Sequence, residues 1–267
     1  MAVQRLSGWE VRAVRGALRS LPRTWRLPAR YRLDALRGRL EPEMRRLADL
    51  VEPGCVAIDV GANHGLYTYL LARRCAAVYA FEPQPECADT LEAWAHPRVT
   101  LFRAGVSDEP GELTLKVPLA DGVPVTQCAT FSELEGPREE IRVPVMRLDD
   151  LGLSGVAFVK IDTEGHEWHV LRGAEATIRR DRPVLLVEID RELCGDDGSA
   201  GTFEWLRGLG YHAHFLRGGR YRGIREFDAA RDQAPDVGER LVSNFVFVHE
   251  DDARLPALKA EAAGAPA

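Results

Sequence analysis

A glycine-containing loop that follows an apolar run holds the first residues suited to binding a ligand. Residues 56–68 read VAIDVGANHGLYT, so the apolar run carries Asp59 and the loop after it contains Gly61 and Gly65. Glycines let the backbone approach a ligand closely, and the free N–H groups of a following helix can bind a carboxylate or phosphate. Ligands of α/β sheets bind beyond the carboxyl ends of the strands. The segment therefore predicts a cofactor cradle.

A second acidic residue points to a ligand that contains adenosine. Glu82 follows the apolar run 77–81 and stands 23 residues after Asp59. A carboxylate at this place can accept hydrogen bonds from both ribose hydroxyls. The loop lacks the middle glycine of the dinucleotide fingerprint and the GK[ST] of a phosphate-binding loop. Because Asp59 would repel phosphates but suits a cationic amino-acid group, these residues favour S-adenosylmethionine over the alternative, a nicotinamide dinucleotide in a dehydrogenase.

Several sequence blocks resemble a known family. DVGANHG followed by FEP resembles motifs I and II of class I methyltransferases, and the later blocks are similar in order and spacing to the FkbM family signature. These later blocks are LDDL (148–151), VKIDTEGHE (159–167), VLRGA (170–174) and LLVEI (185–189). The resemblance covers residues 50–250 and implies a doubly wound, Rossmann-like α/β fold. Its methyltransferase sheet would have seven strands, mostly parallel, with one antiparallel strand supplied by residues 244–248.

The resemblance also implies, by position, which residues bind S-adenosylmethionine. One set would line the methionine end, and Glu82 would hold the ribose. The remaining residues would lie beside the adenine, around Pro83 and in the turn at 105–108, which contains Ser107 and Asp108. The methionine-end set is Asp59, Gly61, Asn63 and Gly65.

The residues after the apolar run 156–161 are the candidates for catalysis. Methyl transfer needs the acceptor atom held close to the methyl group, and a hydroxyl acceptor benefits from a general base. Asp162 or His166 is hypothesised to deprotonate the acceptor, with Glu164 as a further candidate on the same turn. The alternative is that Asp162, Glu164 and Glu167 cap the next helix, whose N-terminus favours acidic side chains.

Glu188 ends the next apolar run and could bind acceptor hydroxyls, cap a helix or pair within the core. Two carboxylates and a histidine could hold Mg²⁺, but no spacing demands a metal, and none is expected. Members of the family mostly methylate oxygen atoms of sugars, polyketides and other natural products. The resemblance therefore implies an O-methyltransferase acting on a small-molecule or glycan hydroxyl; N-methylation and a non-catalytic, cofactor-binding partner protein remain open.

Three segments are expected along the chain. Residues 1–46 are Arg-rich and carry apolar residues near helical spacing, which predicts a basic helical segment. Residues 47–250 form the methyltransferase domain, in which short apolar runs alternate with helical stretches. Alternating apolar residues within 110–148 predict an antiparallel β insertion. Residues 251–267 are rich in Ala and Pro and are expected to be disordered.

Composition limits the classes of partner. The net charge is −6, although residues 1–46 hold twelve Arg against four acidic residues. The rest of the chain is therefore acidic, which argues against nucleic-acid binding by the main domain. No apolar stretch is long enough for a membrane span and no secretory signal is visible, so a cytoplasmic protein is expected. The five scattered cysteines are interpreted as buried thiols, without a disulfide framework or zinc spacing.

Overall fold

The computed structural model describes Gly16, Leu18, residues 20–234 and residues 241–264, with the side chains of residues 191–199 outside the description. Its main sheet has eight strands. In chain order they are β1 (Val56–Val60), β2 (Ala77–Phe81), β3 (Val99–Phe102), β8 (Val156–Ile161), β9 (Val184–Glu188), β10 (Tyr211–Arg217), β11 (Arg220–Gly223) and β12 (Asn244–His249). Their spatial order is β11-β10-β12-β9-β8-β1-β2-β3, so β1 and β8 are central.

The strand directions confirm the doubly wound, mostly parallel sheet. The ladders β3-β2-β1-β8-β9 are parallel, and β12 pairs antiparallel with both β9 and β10, as expected for residues 244–248. The expected number of seven strands is corrected to eight, because β11 adds a second antiparallel strand at the edge. Gly218 and Gly219 both have positive φ and form the tight turn that returns the chain beside β10.

Ten α-helices are described. They are α1 (Arg23–Leu36), α2 (Pro42–Arg45), α3 (Leu47–Leu50), α4 (Leu66–Ala72), α5 (Pro85–Trp94), α6 (Glu167–Gly173), α7 (Glu175–Asp181), α8 (Arg191–Gly208), α9 (Ala229–Asp232) and α10 (Leu255–Ala262). Two large apolar clusters cover the two faces of the sheet. Successive residues of β9 alternate between them, with Leu185 and Val187 in one cluster and Val184 and Leu186 in the other. Helix α1 buries Leu27 completely in a third cluster. The described part of the basic N-terminal segment thus contains the helices α1 and α2, as the sequence predicted. Residues 1–15, 17 and 19 of that segment lie outside the described residues.

The predicted β insertion is present. Its strands are β4 (Gly105–Val106), β5 (Gly111–Ala120), β6 (Val123–Pro124) and β7 (Arg138–Met146), which form a second sheet in the order β4-β7-β5-β6. The long strands β5 and β7 pair antiparallel. Leu115, Val117 and Val143 form a small apolar cluster of their own, which accounts for the alternation of apolar and polar residues in the sequence.

The expectation of a disordered tail at 251–267 is corrected by α10 over residues 255–262, while residues 265–267 lie outside the described residues. Leu255 and Leu258 are three residues apart and are both buried, because the helix packs against β11. Arg46 also binds Glu261 through two nitrogen atoms, at 3.1 and 2.9 Å. Apolar contact and a bidentate ion pair therefore order a segment whose Ala/Pro composition suggested fraying. Among the described residues, no helix combines the length and the hydropathy required to cross a bilayer.

Candidate active site

A cavity of about 340 Å³ lies at the carboxyl edge of the central strands, where the resemblance placed the cofactor. Its walls come from the loop after β1, the start of α4, the ends of β2, β8 and β9, and the β insertion. The N-terminal segment adds Arg30 of α1, Glu41 and Met44 of α2. Asp59, Gly61, Asn63, Glu82 and Pro83 all line it. The structure therefore brings most of the predicted cofactor-binding residues to one place.

The loop after β1 is closely packed, and two of its positions require glycine. Gly61 has φ 76°, and a Cβ on it would lie 1.8 Å from the backbone oxygen of Asp162. Gly65 has φ 85°, and a Cβ there would lie 2.4 Å from a side-chain carbon of Leu91. Gly65 itself does not line the cavity, so its role is to let α4 start against α5.

Two buried carboxylates end neighbouring strands on the cofactor side. Asp59 accepts a hydrogen bond from the Thr68 hydroxyl, and burial raises the pKa of Asp59 to about 6. Glu82 accepts backbone N–H bonds from Asn63 at 2.6 Å and from Gln84 at 2.7 Å. Burial raises the pKa of Glu82 to about 7. The two N–H bonds fix the orientation of the Glu82 carboxylate and leave lone pairs for a ligand.

The β insertion forms the wall above Glu82. The backbone oxygen of Thr126 accepts hydrogen bonds from the side-chain amides of Gln84, at 2.7 Å, and Asn63, at 3.3 Å. The Thr126 hydroxyl lies 3.2 Å from Nε2 of His64. The insertion is therefore tied to the glycine loop and to the end of β2, which no local sequence signal had indicated.

At the expected adenine end, the structure separates the predicted residues. Pro83, Gly105 and Val106 line the cavity, whereas Ser107 and Asp108 do not. The chain turns away after Val106, because the backbone N–H of Ser107 bonds to the carbonyl of the last residue of β7. The placement of Ser107 and Asp108 beside the adenine is therefore not supported.

His166 is likewise outside the cavity lining, so the structure does not support its proposed role as the base. Its Nε2 lies 3.0 Å from the Ser107 hydroxyl, and its ring stacks on His169 at a centroid distance of 4.5 Å. The ring also meets the edge of Phe131, and His169 in turn contacts Asp108 at 3.0 Å. Burial lowers the pKa of His166 to about 4, so the ring is neutral at pH 7. His166 is a packed core residue.

Three acidic residues meet at the other end of the cavity. One carboxylate oxygen from each of Asp162, Glu164 and Glu188 lies within 4.8 Å of the others. Asp162 comes directly after β8 and Glu188 is the last residue of β9, and these strands pair with Ile161 opposite Val187. Glu164 reaches the cluster from a left-handed turn, in which its φ is 53°. This set of oxygen atoms could bind a proton, a hydroxyl or a divalent cation.

A buried lysine, Lys160, favours ionisation of one of the three carboxyls in this cluster. Lys160 Nζ donates to Oδ2 of Asp162 at 2.8 Å. Burial opposes ionisation of Asp162, but Lys160 and a hydrogen bond from Glu188 outweigh it and lower the pKa of Asp162. Burial and the Asp162 charge raise the pKa of Glu164 to about 9 and hold that of Glu188 well above its usual value. Asp162 is thus the ionised member, beside two protonated carboxyls.

Glu167 is the first residue of α6, and its carboxylate binds the turn that precedes this helix. Its Oε1 accepts the backbone N–H of Thr163 at 3.0 Å and that of Gly165 at 3.1 Å. Glu167 therefore holds the turn before α6, and among the described residues no side chain caps this helix, so the capping alternative is not supported. Asp162 and Glu164 face the cavity.

Glu41, Tyr67 and Asn244 complete the acidic end and were missed from the sequence. Oε2 of Glu41 accepts the Tyr67 hydroxyl at 2.7 Å and the Asn244 amide at 3.3 Å. Lys160 Nζ lies 4.9 Å from the centre of the Tyr67 ring. Glu41 precedes a proline in the Arg-rich segment and carries no local signal, whereas a lysine within the apolar run VAFVKI is a signal of a buried charge.

The fold and the site define the class: a doubly wound α/β protein with an adenosine-cofactor cradle at its first βα turn. Residues 59–213, more than half of the chain, match the methyltransferase FkbM domain. The chain therefore belongs to the FkbM methyltransferase family, and its cofactor is S-adenosylmethionine.

Relatives from distant organisms share part of the chain. The 2-O-methyltransferase NoeI of Sinorhizobium fredii is 27% identical over 172 residues, which cover 56% of this chain and 70% of that protein. The 31-O-demethyl-FK506 methyltransferase FkbM of Streptomyces tacrolimicus is 30% identical over 197 residues, which cover 60% and 74%. The hexuronic acid methyltransferase AglP of Haloferax volcanii is 29% identical over 150 residues, which cover 54% and 59%.

Among solved structures, the methyltransferase FkbM from Methylobacillus flagellatus shares the fold. The TM-score is 0.50 at 17% identity, and the match covers 77% of this chain and 47% of that one. This chain thus spans about half the length of that protein.

The residues present fit S-adenosylmethionine. Gly61 lines the cavity and lets the loop pack against the backbone of Asp162, where a Cβ would collide. The Glu82 carboxylate is held by the backbone N–H groups of Asn63 and Gln84. The cavity is lined by carboxylates at both ends, which suits a ligand with positively charged sulfonium and amino groups.

Proposed function

We propose that this protein is an O-methyltransferase that transfers the methyl group of S-adenosylmethionine to a hydroxyl of a sugar, glycan or polyketide-type natural product. The observation that carries the proposal is the cluster of the Asp162, Glu164 and Glu188 carboxyls on the cavity wall, with Lys160 Nζ 2.8 Å from Asp162. The names of two relatives, a 2-O-methyltransferase and a 31-O-demethyl-FK506 methyltransferase, support an oxygen acceptor.

The proposed cofactor-binding roles are those that the family resemblance implies by position. Asp59, Gly61 and Asn63 hold the methionine end, Glu82 binds the ribose hydroxyls, and Pro83 lies beside the adenine. Support comes from their common position on the cavity wall and from the close packing of the loop against β8. Gly65 contributes indirectly, by shaping the start of α4.

Asp162 is the base in this proposal. The bound cofactor supplies an electrophilic methyl group, which the acceptor oxygen must approach in line. Asp162 accepts the hydroxyl proton as the carbon–oxygen bond forms, because the charge of Lys160 keeps it ionised. The carboxyls of Glu164 and Glu188 lie next to Asp162 and can hydrogen-bond to neighbouring hydroxyls of a sugar or polyol.

The test is a panel of acceptors incubated with S-adenosylmethionine that carries a deuterated methyl group. Glycosides, uronic acid glycosides and hydroxylated macrolides are compared with matched amines, and the product is assigned by mass and NMR. We expect an O-methyl product, and a loss of turnover of 100-fold or more in Asp162→Asn at unchanged cofactor affinity, an order-of-magnitude figure for removing a general base.

Asp108→Asn is the matched control, because Asp108 lies at the surface and outside the cavity. Its turnover should match that of the unmodified chain. An exclusively N-methylated product, or full turnover in Asp162→Asn, would contradict the proposal.

A further inference from the structure

Two of the cysteines that the sequence suggested were separate buried thiols lie side by side. The Sγ atoms of Cys55 and Cys75 are 3.1 Å apart. Cys55 immediately precedes β1 and Cys75 lies just before β2, so both stand at the amino edge of the parallel sheet. The cavity lies at the opposite, carboxyl edge.

The backbone holds the two residues together independently of their thiols. The N–H of Gly54 bonds to the carbonyl of Arg74 at 2.8 Å, and the N–H of Ala76 bonds to the carbonyl of Cys55 at 2.8 Å. The N–H of Cys75 is itself bonded to the last turn of α4 at 2.7 Å. A disulfide needs a sulfur–sulfur distance of about 2.05 Å, so the two atoms must approach by about 1 Å. Side-chain rotation supplies such a movement without a change of strand pairing.

The two thiols differ in exposure and in acidity, as an attacking and a resolving thiol do. Cys55 is partly exposed, whereas Cys75 is completely buried. The hydrogen-bonding contact between the two thiols lowers the pKa of Cys55. The same contact, together with burial, raises the pKa of Cys75. An oxidant therefore meets Cys55 first and finds it the better nucleophile.

We propose that Cys55 and Cys75 form an oxidisable dithiol, and that a mild peroxide joins them in a disulfide across the base of the cofactor-binding βα unit (residues 55–75). This unit contains β1, the glycine loop and α4. The Cys55 thiolate attacks hydrogen peroxide and releases water, which leaves a sulfenic acid. The Cys75 sulfur then displaces the second oxygen as water. Two thiols and one peroxide give one disulfide and two waters.

The cross-link should strengthen the unit without closing the cavity. It ties the two ends of a segment of about 20 residues, which restricts the unfolded chain more than the folded one. The linked atoms lie at the sheet edge opposite the cavity, so the glycine loop keeps its conformation. The oxidised protein should melt several degrees higher and bind S-adenosylmethionine with an affinity within about twofold of the reduced form.

The experiment treats the full chain with stoichiometric hydrogen peroxide, then alkylates the remaining thiols and digests with trypsin. We expect the loss of two thiols, a mass decrease of about 2 Da before alkylation, and the joining of peptides 47–73 and 75–98. Because the second peptide also contains Cys87, Cys87→Ser is the matched control and must retain the link. Cys55→Ser and Cys75→Ser must each abolish the link and the rise in melting temperature.

Each remaining outcome overturns the proposal. These outcomes are separate alkylation of Cys55 and Cys75 after peroxide, oxidation of Cys55 beyond the sulfenic acid in place of a link, and a link that disappears in Cys87→Ser. The test needs no acceptor, so its result is independent of the reaction proposed above.

Discussion

The ammonium of Lys160 lies 2.8 Å from Oδ2 of Asp162, although the lysine side chain is only 1% exposed. Lys160 and Asp162 flank Ile161 at the end of the central strand β8, and alternate residues of a strand point to the same face. Burial opposes the lysine charge, but the charge of Asp162, with a contribution from Glu41, outweighs it and raises the pKa of Lys160. The strand thus carries a fixed positive charge directly beneath the acidic end of the cavity.

Replacing Lys160 with Met should strongly destabilise the fold. The change leaves Asp162 ionised without its partner, and removing one member of a buried pair costs about 3–5 kcal/mol. Lys116→Met is the matched control, because Lys116 pairs at 2.9 Å with Glu133, whose side chain is 96% exposed. That pair is solvent-exposed at Glu133 and should contribute little to stability. Denaturant unfolding measures both, and equal losses would contradict the assigned role of Lys160.

Replacing Gly61 with Ala should remove cofactor binding and lower stability. The new Cβ would lie 1.8 Å from the backbone oxygen of Asp162, so the loop or the end of β8 must move. Gly122→Ala is the control, since Gly122 has a similar φ of 73° but no atom within 4 Å of its Cβ position. It should cost about 1 kcal/mol and leave affinity unchanged. Calorimetric titration with S-adenosylmethionine separates the two, and a Gly61→Ala protein with normal affinity would show that the cradle is elsewhere.

His166 should influence stability against pH but not cofactor binding. The pKa of His166 falls to about 4 in the folded protein, from the usual 6.5, because the ring is buried. Below pH 6.5 the unfolded chain takes up a proton that the folded chain refuses, so stability declines as the pH falls towards 4. His166→Gln should remove about 2–3 kcal/mol of that decline. Its affinity for S-adenosylmethionine at pH 7 should stay within about twofold of normal. An unaltered pH dependence of the unfolding free energy, or a tenfold loss of affinity, would contradict the placement of His166.

The residues that the sequence predicted to lie together, and that do line the cavity, have local causes. Gly61 and Glu82 follow apolar strands at a spacing set by one βα unit, so their meeting at the carboxyl edge required only the parallel sheet. Glu41 and Asn244 are 203 residues apart, and they meet only because the N-terminal segment passes the first residue of β12. His166 lies near Asp162 in sequence, but the turn at Gly165, with φ 100°, carries the chain away from the cavity. No periodicity or motif encodes such long-range contacts or a single backbone turn.

The cavity is expected to bind S-adenosylmethionine, with the ribose held by Glu82. Calorimetric titration of the protein and of Glu82→Ala, with S-adenosylmethionine and separately with NAD⁺, tests it most directly. Glu92→Ala, a change at an exposed acidic residue outside the cavity, serves as the control. We expect binding of S-adenosylmethionine alone, weakened by about 10–100-fold in Glu82→Ala, because hydrogen bonds to a charged group contribute about 1.5–3 kcal/mol. Binding of NAD⁺, or an affinity for S-adenosylmethionine that Glu82→Ala leaves unchanged, would contradict the account.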